Sequence, residues 1–249
     1  MYGAVWSTSS SNAAPGTSTA DSAYGSGALP LHTDMTYLRD PPGVQIFAMG
    51  RPSKHGGASV FGDGLAASES LRRDHPDAFD VLCRTVRRYR CVDDDGGWHL
   101  EAEGPVIRAA DRGGGAPFPP HRSHRHRHHH RRWGPVGMIR HNDLDRLPDL
   151  PPADVRSIVD EREREMRIAE FYSDLDHAHE LWDGLLGSDD IRLRMDLRPG
   201  DMVAVANQRC FHGRESFTAD ADSPRSVMGC YVSQDELNSR FRRAGYRVF

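Results

Sequence analysis

The chain repeats short apolar runs separated by turn-forming residues, which is typical of a protein built from many short strands. Glycine and proline stand beside most of these runs, as in Pro41-Pro42-Gly43, and both residues favour turns. The runs predict strands at 44–49, 58–61, 191–197, 202–206 and 227–232. Residues 7–22 are mostly Ser, Thr, Ala and Gly, a composition that buries little apolar surface, so they predict a surface loop.

Two segments carry apolar residues at a spacing of three to four, which predicts helices. Residues 65–86 contain Pro76 and predict two helical pieces that meet near it. Residues 152–186 predict one long helix with a solvated, Glu- and Arg-rich face, and 236–247 form a basic amphipathic stretch. Many short strands with a few covering helices favour a mainly β fold, a sandwich or barrel of the jelly-roll kind.

Composition narrows the classes of partner. A chain of 249 residues can form one good-sized domain or two small ones, and one core is the simpler expectation. The net charge of -4 gives no basic footprint for nucleic acid or an anionic membrane, so we expect a small-molecule substrate. No apolar run approaches the roughly 20 residues that span a bilayer, and no signal-peptide pattern opens the chain, so we expect a soluble protein. Four cysteines without C-x-x-C spacing favour core positions in a reducing compartment.

The segment 108–133 departs from this pattern, because it is rich in Gly, then Pro, then His and Arg. Dense histidine can bind zinc or nickel, so a histidine-tract metal-binding protein is one interpretation. We favour a low-complexity insertion, since such a tract has no fixed ligand geometry. The triplet GPV occurs at 104–106 and again at 134–136, so the insertion interrupts what reads as one strand pair.

The candidate chemistry begins at His32-Thr33-Asp34. Side chains two residues apart lie on one face of an extended segment, so His32 and Asp34 can hold one ion together. His212, soon after the strand 202–206, would complete the triad of two histidines and one carboxylate that binds Fe(II) and leaves coordination positions open. The His-x-Asp pattern is weak by itself, because a chain with 14 histidines and many aspartates produces it by chance.

An oxoacid bound to such a metal needs a partner for its carboxylate. Arg225 follows His212 by thirteen residues and stands just before the strand 227–232. A guanidinium suits the task because it pairs a carboxylate through two hydrogen bonds and keeps its charge. Ser59 could donate a hydroxyl hydrogen bond to the same carboxylate. A surface arginine is the alternative for Arg225 in so arginine-rich a chain.

Four segments together resemble trimethyllysine dioxygenase and its sister, gamma-butyrobetaine dioxygenase, a family within the taurine dioxygenase-like (TauD/TfdA) superfamily. The segments are ALPLHTDMTYLRDPPGVQIFA (28–48), GGASVFGDG (56–64), RPGDMVAVANQRCFHGRESF (198–217) and GCYVSQDELN (229–238). HTD, FHGR and GCY occur in order at appropriate separations, so the resemblance covers nearly the whole chain apart from 108–133.

The resemblance implies a double-stranded β-helix with Fe(II) at His32, Asp34 and His212. It implies that Arg225 and Ser59 hold 2-oxoglutarate. It also implies an aromatic cage that binds a trimethylammonium group by cation–π attraction. The aromatic residues at the matching positions are Tyr2, Trp6, Tyr24 and Tyr231.

Three further residues match the family. Arg140 and Asn142 lie in a segment that lines the family's substrate pocket, although a strand-edge salt bridge is the alternative for them. Asn207 matches an asparagine near the distal histidine, but the aspartate and tryptophan that flank it in the family are here Ala206 and Gln208.

The implied activity is hydroxylation of N6,N6,N6-trimethyl-L-lysine at carbon 3, a step of carnitine biosynthesis, with O2 consumed and ascorbate as reductant. Met35 after the HTD motif favours trimethyllysine, because the butyrobetaine enzymes place a tyrosine there. The alternatives are gamma-butyrobetaine hydroxylase and a truncated, inactive homologue that acts as a binding module.

The resemblance also carries expectations about the whole protein. The resemblance to the family's catalytic domain begins close to Met1. We therefore expect the family's small N-terminal zinc-binding domain to be absent, and we expect residues 1–249 to form one catalytic domain. A homodimer is possible by analogy with the family. The family suggests a mitochondrial or cytoplasmic location, and no targeting signal is visible.

Overall fold

The computed structural model describes residues 5–9, 25–94, 96–111 and 133–247. The strands in these ranges are β1 (Trp6–Ser9), β2 (Leu29–His32), β3 (Val44–Arg51), β4 (Ser59–Asp63), β5 (Arg87–Asp93), β6 (Trp98–Gly104), β7 (Ile107–Asp111), β8 (Trp133–Ile139), β9 (Arg192–Met195), β10 (Met202–Ala206), β11 (Cys210–Arg214) and β12 (Ser226–Val232). The helices are α1 (Gly64–Asp74), α2 (Pro76–Arg84), α3 (Ala153–Arg156), α4 (Glu161–Leu186) and α5 (Gln234–Arg243).

Two antiparallel sheets of four strands each form the centre of the described fold. The first has the order β1-β12-β3-β10 and the second the order β2-β11-β4-β9, while β5-β6 and β7-β8 form two-stranded ribbons. Most neighbouring strands are far apart along the chain, so the sheets depend on long-range pairing. The predicted class, mainly β with covering helices, describes this architecture.

The packing of β3 shows how its sequence positions the first sheet. Its side chains alternate, so Gln45, Phe47 and Met49 are buried on one face. Phe47 stacks against Phe61 of β4 with ring centroids 6.4 Å apart, which brings the two sheets into contact. Burying a phenylalanine of this kind stabilises a fold by roughly 1.5–3 kcal/mol.

The helices cover the second sheet through a larger apolar cluster. Phe211 of β11 is fully buried and meets the Trp182 ring of α4 edge-on at 5.9 Å. The side chains that α1, α2 and α4 add to this cluster include Leu71, Phe79, Leu82, Leu175 and Leu186. The long helix therefore supports the strand that carries His212.

The clearest sequence predictions are confirmed. The runs at 44–49, 202–206 and 227–232 correspond to β3, β10 and β12. The predicted strands 58–61 and 191–197 overlap β4 and β9 in sequence. Two helices meet near Pro76 as predicted: α1 ends at Asp74, and Pro76 starts α2, where a missing N–H is tolerated.

Two predictions are wrong in part. Residues 152–186 form two helices, α3 and α4, because the first helix ends at Arg156. Asp160 then caps α4 by accepting a 2.7 Å hydrogen bond from Glu163 N–H. Residues 7–9, predicted as loop, belong to β1, which pairs with β12. Residues 10–22 lie outside the described residues.

The strands on either side of the histidine-rich tract form one antiparallel pair, as the repeated GPV triplet predicts. Asp111 at the end of β7 pairs with Trp133 at the start of β8. Residues 112–132 lie outside the described residues. In the described ranges, no helix is long and apolar enough to cross a membrane.

Candidate metal centre and active site

The structure brings the three predicted metal ligands together. His32 ends β2 and pairs directly with His212 of the neighbouring strand β11, which places their ring centroids 4.4 Å apart. Asp34 follows in the turn after β2, with Oδ1 3.4 Å from His32 Nε2 and Oδ2 3.5 Å from His212 Nε2. Each residue offers a ligand atom within 4.8 Å of the others. Two imidazoles and one carboxylate at this spacing fit Fe(II).

The protonation states of Asp34 and His212 suit a metal. Burial would raise the pKa of Asp34, but the neighbouring His212 and His32 and the Tyr231 hydroxyl lower it to about 2. Burial lowers the pKa of His212 to about 4, so this imidazole is neutral near pH 7. The Nδ1 atom of His32 lies 2.8 Å from the Pro30 carbonyl oxygen, so it donates there and leaves Nε2 as the ligand atom.

The backbone of Asp34 is held from both sides by Asn207, which follows β10 and is fully buried. The Asn207 Oδ1 atom accepts a hydrogen bond from Asp34 N–H at 2.7 Å, and its Nδ2 donates to the carbonyl oxygens of Asp34 at 3.1 Å and Pro42 at 3.0 Å. Met35, the next residue, has a φ of 55°, which L-residues other than Asn and Asp rarely adopt. The amide therefore stabilises a strained turn beside the metal ligand.

The side chain of Asp34 has two further donors that the sequence pattern did not reveal. Its Oδ2 accepts hydrogen bonds from Gln45 Nε2 at 2.5 Å and from the Tyr231 hydroxyl at 2.8 Å. The available signal was that Gln45 occupies an inward position of the apolar strand β3, in phase with Phe47 and Met49. A polar residue at such a position needs a buried partner.

One cavity joins this centre to most of the predicted site residues. Of those, Ser59, Arg225, Trp6, Tyr231 and Asn142 line it together with the three ligands. Other lining residues that the sequence did not single out for the site are Thr8, Leu29, Tyr37, Gln45, Phe47, Asp145, Gly213, Arg214 and Val227. Two more predicted residues, Tyr2 and Tyr24, lie outside the described residues.

The cavity is lined by two buried arginines. The guanidinium carbons of Arg214 and Arg225 lie 4.8 Å and 5.7 Å from the centroid of the Phe217 ring. Burial, with the charge of Arg225, lowers the pKa of Arg214 to about 10, so it stays charged at neutral pH. Arg214 was detectable, because it stands two residues after His212 on the same strand face. Two buried cations favour an anionic ligand such as a carboxylate.

Arg140 lies elsewhere than expected. The cavity lining includes Asn142 but not Arg140, whose buried guanidinium donates hydrogen bonds to the carbonyl oxygens of Thr36, Leu38 and Arg39 at 2.9–3.1 Å. It therefore supports the loop after Met35, and it does not form the alternative salt bridge in the described structure.

Asn142 lines the cavity beside a carboxylate that sequence reasoning missed. Its Nδ2 donates to Asp145 Oδ2 at 3.0 Å, and Thr36 Oγ1 donates to the same oxygen at 2.8 Å. An ionised carboxylate has about four acceptor sites, so Asp145 can accept further hydrogen bonds. The arrangement offers an acceptor for a cationic group of a ligand.

The chain matches a known protein family over most of its length. The family described as taurine catabolism dioxygenase TauD, TfdA family matches residues 1–231. The chain belongs to this family. Among curated relatives, trimethyllysine dioxygenase from Gallus gallus is 27% identical over all of this chain and 49% of its own length. Gamma-butyrobetaine dioxygenase from Homo sapiens is 26% identical over 91% of this chain and 49% of its own length.

The chain therefore spans about half the length of the curated relatives it matches. Among solved structures, that of asparagine oxygenase in complex with Fe(II), 2S,3S-3-hydroxyasparagine and succinate is similar to this TauD-family fold. The TM-score is 0.52 at 20% identity, over 84% of this chain and 51% of that one. This likeness supports the fold.

Proposed function

We propose that this protein is an Fe(II)- and 2-oxoglutarate-dependent dioxygenase with a double-stranded β-helix fold, and that it hydroxylates N6,N6,N6-trimethyl-L-lysine at carbon 3. The observation that carries the proposal is that His32, Asp34 and His212 meet in one cavity. Arg225 and an aromatic pair, Trp6 and Tyr231, line the same cavity. Family membership supports the same chemistry.

Different residues would bind the metal and the cosubstrate in such a reaction. His32, Asp34 and His212 would hold the iron, which with O2 and 2-oxoglutarate supplies the oxidising power for an unactivated C–H bond. Arg225 and Ser59 bind the cosubstrate carboxylate. Ascorbate would keep the iron reduced.

The remaining lining residues fit a substrate that carries two cationic groups, a quaternary ammonium and an α-amino group. The rings of Trp6 and Tyr231 have centroids 6.1 Å apart at 32°, and their faces attract a quaternary ammonium group. Asp145 and Asn142 would bind an α-amino group. Trimethyllysine carries that amino group and gamma-butyrobetaine lacks it, so Asp145 favours trimethyllysine.

The primary experiment measures succinate and oxygen consumption by the iron-loaded protein with 2-oxoglutarate and ascorbate. We expect substrate-dependent succinate with trimethyllysine, and its loss in His212→Ala, while the exposed His177→Ala serves as the control. Silence with both trimethyllysine and gamma-butyrobetaine would overturn the substrate assignment and favour an inactive binding module. Succinate unchanged by His212→Ala would overturn the metal centre.

A second experiment tests the substrate. Asp145→Asn keeps the shape of the side chain and removes its charge. We expect the KM for trimethyllysine to rise about tenfold or more, because a charged hydrogen bond contributes roughly 1.5–3 kcal/mol. Better turnover of gamma-butyrobetaine than of trimethyllysine by the unmodified protein would favour the alternative activity.

A further inference from the structure

Two donors on neighbouring strands hold one oxygen of the Asp34 carboxylate. Gln45 of β3 and Tyr231 of β12 are direct cross-strand partners, so their side chains project side by side. Both donate to Oδ2, from Nε2 at 2.5 Å and from the hydroxyl at 2.8 Å. Gln45 is only 4% exposed, so its amide is buried beside the carboxylate.

This pairing distinguishes the two carboxylate oxygens. Each oxygen lies near one histidine, Oδ1 3.4 Å from His32 Nε2 and Oδ2 3.5 Å from His212 Nε2. Only Oδ2 accepts the hydrogen bonds from Gln45 and Tyr231, so Oδ1 keeps more lone-pair capacity for a metal. The two donors restrain rotation of the carboxylate and so favour binding of an ion through Oδ1. Hydrogen bonds of this kind orient ligands, and their loss commonly weakens metal affinity 10–100-fold.

Tyr231 also belongs to the aromatic pair of the cavity. Its ring lies beside Trp6, while its hydroxyl reaches the metal ligand. The ring and the hydroxyl therefore contact different parts of the site. A variant that deletes only the hydroxyl separates the two contacts.

We propose that Tyr231 and Gln45 are positioning residues that select Oδ1 of Asp34 as the metal-binding oxygen, a role of Tyr231 additional to its aromatic contact with substrate. The inference rests on the proposed function for the identity of the metal centre. Metal binding alone tests it, without substrate or turnover.

The experiment titrates the metal-free protein with Co(II) and follows the visible absorption of the bound ion. We expect Tyr231→Phe and Gln45→Met each to raise the Co(II) Kd by 10–100-fold and to alter the absorption envelope. Gln45→Met keeps the length of the side chain while removing its donor.

Tyr89→Phe is the matched control for deleting a buried hydroxyl. The Tyr89 hydroxyl donates to the Arg140 carbonyl oxygen at 3.0 Å, and not to one of the three candidate metal ligands. We expect this change to lower the unfolding midpoint and to leave the Co(II) Kd unchanged. Equal Kd values for Tyr231→Phe, Gln45→Met and the unmodified protein would overturn the positioning role. Undiminished Co(II) binding by His212→Ala would instead overturn the metal centre of the proposed function.

Discussion

Two histidines outside the candidate triad, the buried His141 and the half-buried His179, are neutral at pH 7. Burial lowers the pKa of His141 to about 4 and that of His179 to about 3, from an ordinary value of 6.5. Such a group favours the folded state fully above pH 6.5, because below it the unfolded chain gains a proton that the folded chain rejects. Stability is therefore lost as the pH falls from 6.5 toward these folded values.

The contribution of His179 can be isolated by replacing it with glutamine. Between pH 7 and pH 5 we expect the unmodified protein to lose about 2 kcal/mol more unfolding free energy than His179→Gln. Urea unfolding at the two pH values measures the difference. The control is His177→Gln on the exposed face of the same helix, and a His179→Gln slope as steep as that of the control contradicts the prediction.

Asn207 gives a second prediction at this scale. Asn207→Ala leaves Asp34 N–H and two carbonyl oxygens without their buried partner, so we expect a loss of roughly 2–4 kcal/mol in unfolding free energy and weaker Co(II) binding. Calorimetry and metal titration measure the two effects. The neighbouring change Gln208→Ala removes one hydrogen bond to the Pro41 carbonyl and should cost less. Equal costs would show that the Asn207 amide has no special role.

The residues of the site were predictable to the extent that spacing along strands reveals them. His32 and Asp34 were paired by assuming an extended segment, whereas Asp34 lies in the turn that follows β2. Arg225 and Ser59, predicted as carboxylate partners and matched by the family resemblance, line the cavity. Gln45 and Asp145 were missed, because their roles arise from contacts between segments more than ten residues apart. Only the fold shows that such segments meet.

At the scale of elements, Gly229 controls how closely β1 approaches β12. It pairs with Trp6, and a Cβ atom at Gly229 would lie 2.6 Å from Trp6 Cζ2 and 2.5 Å from the Ile46 carbonyl oxygen. Gly229→Ala must therefore displace the indole and strain the ladder with β3. We expect a loss of roughly 1–3 kcal/mol in stability.

The same change should weaken binding of trimethyllysine, because Trp6 lines the cavity proposed to bind it, while the Co(II) Kd stays within about twofold. Calorimetric titration of the metal-loaded protein under anaerobic conditions measures both. Met228→Ala, at the adjacent and half-exposed position, is the control. Unchanged trimethyllysine affinity in Gly229→Ala would show that the Trp6 indole takes no part in binding.

Elements were predicted well where local pattern determines them and poorly where pairing does. The strand 202–206 and the break at Pro76 follow from apolar runs and from proline. β1 was missed, because its serine- and threonine-rich sequence becomes a strand only by pairing with β12, more than 200 residues away. The exposed edge strand β9 was found because its apolar and charged residues alternate.

At the scale of the whole molecule, the cavity gathers residues from both sheets and from the 142–145 turn. Ser59 and Arg214 are cross-strand partners in the second sheet, while Gln45 and Tyr231 belong to the first. The net charge of -4 gives no indication of this site, in which buried cations and a carboxylate line one cavity. Function depends on this local arrangement, which only the packed sheets create.

We expect the fold to tolerate shortening of the histidine-rich tract, because Asp111 and Trp133 pair with each other across β7 and β8. Replacing residues 112–132 by a short Asn-Gly turn should keep the fold and raise the unfolding free energy by about 1–2 kcal/mol, since a shorter loop costs less entropy to close. Metal analysis after cobalt loading should still find the triad's ion, and His212→Ala in the shortened chain should lose it. Loss of all tight binding on shortening alone would instead identify the tract as the metal site.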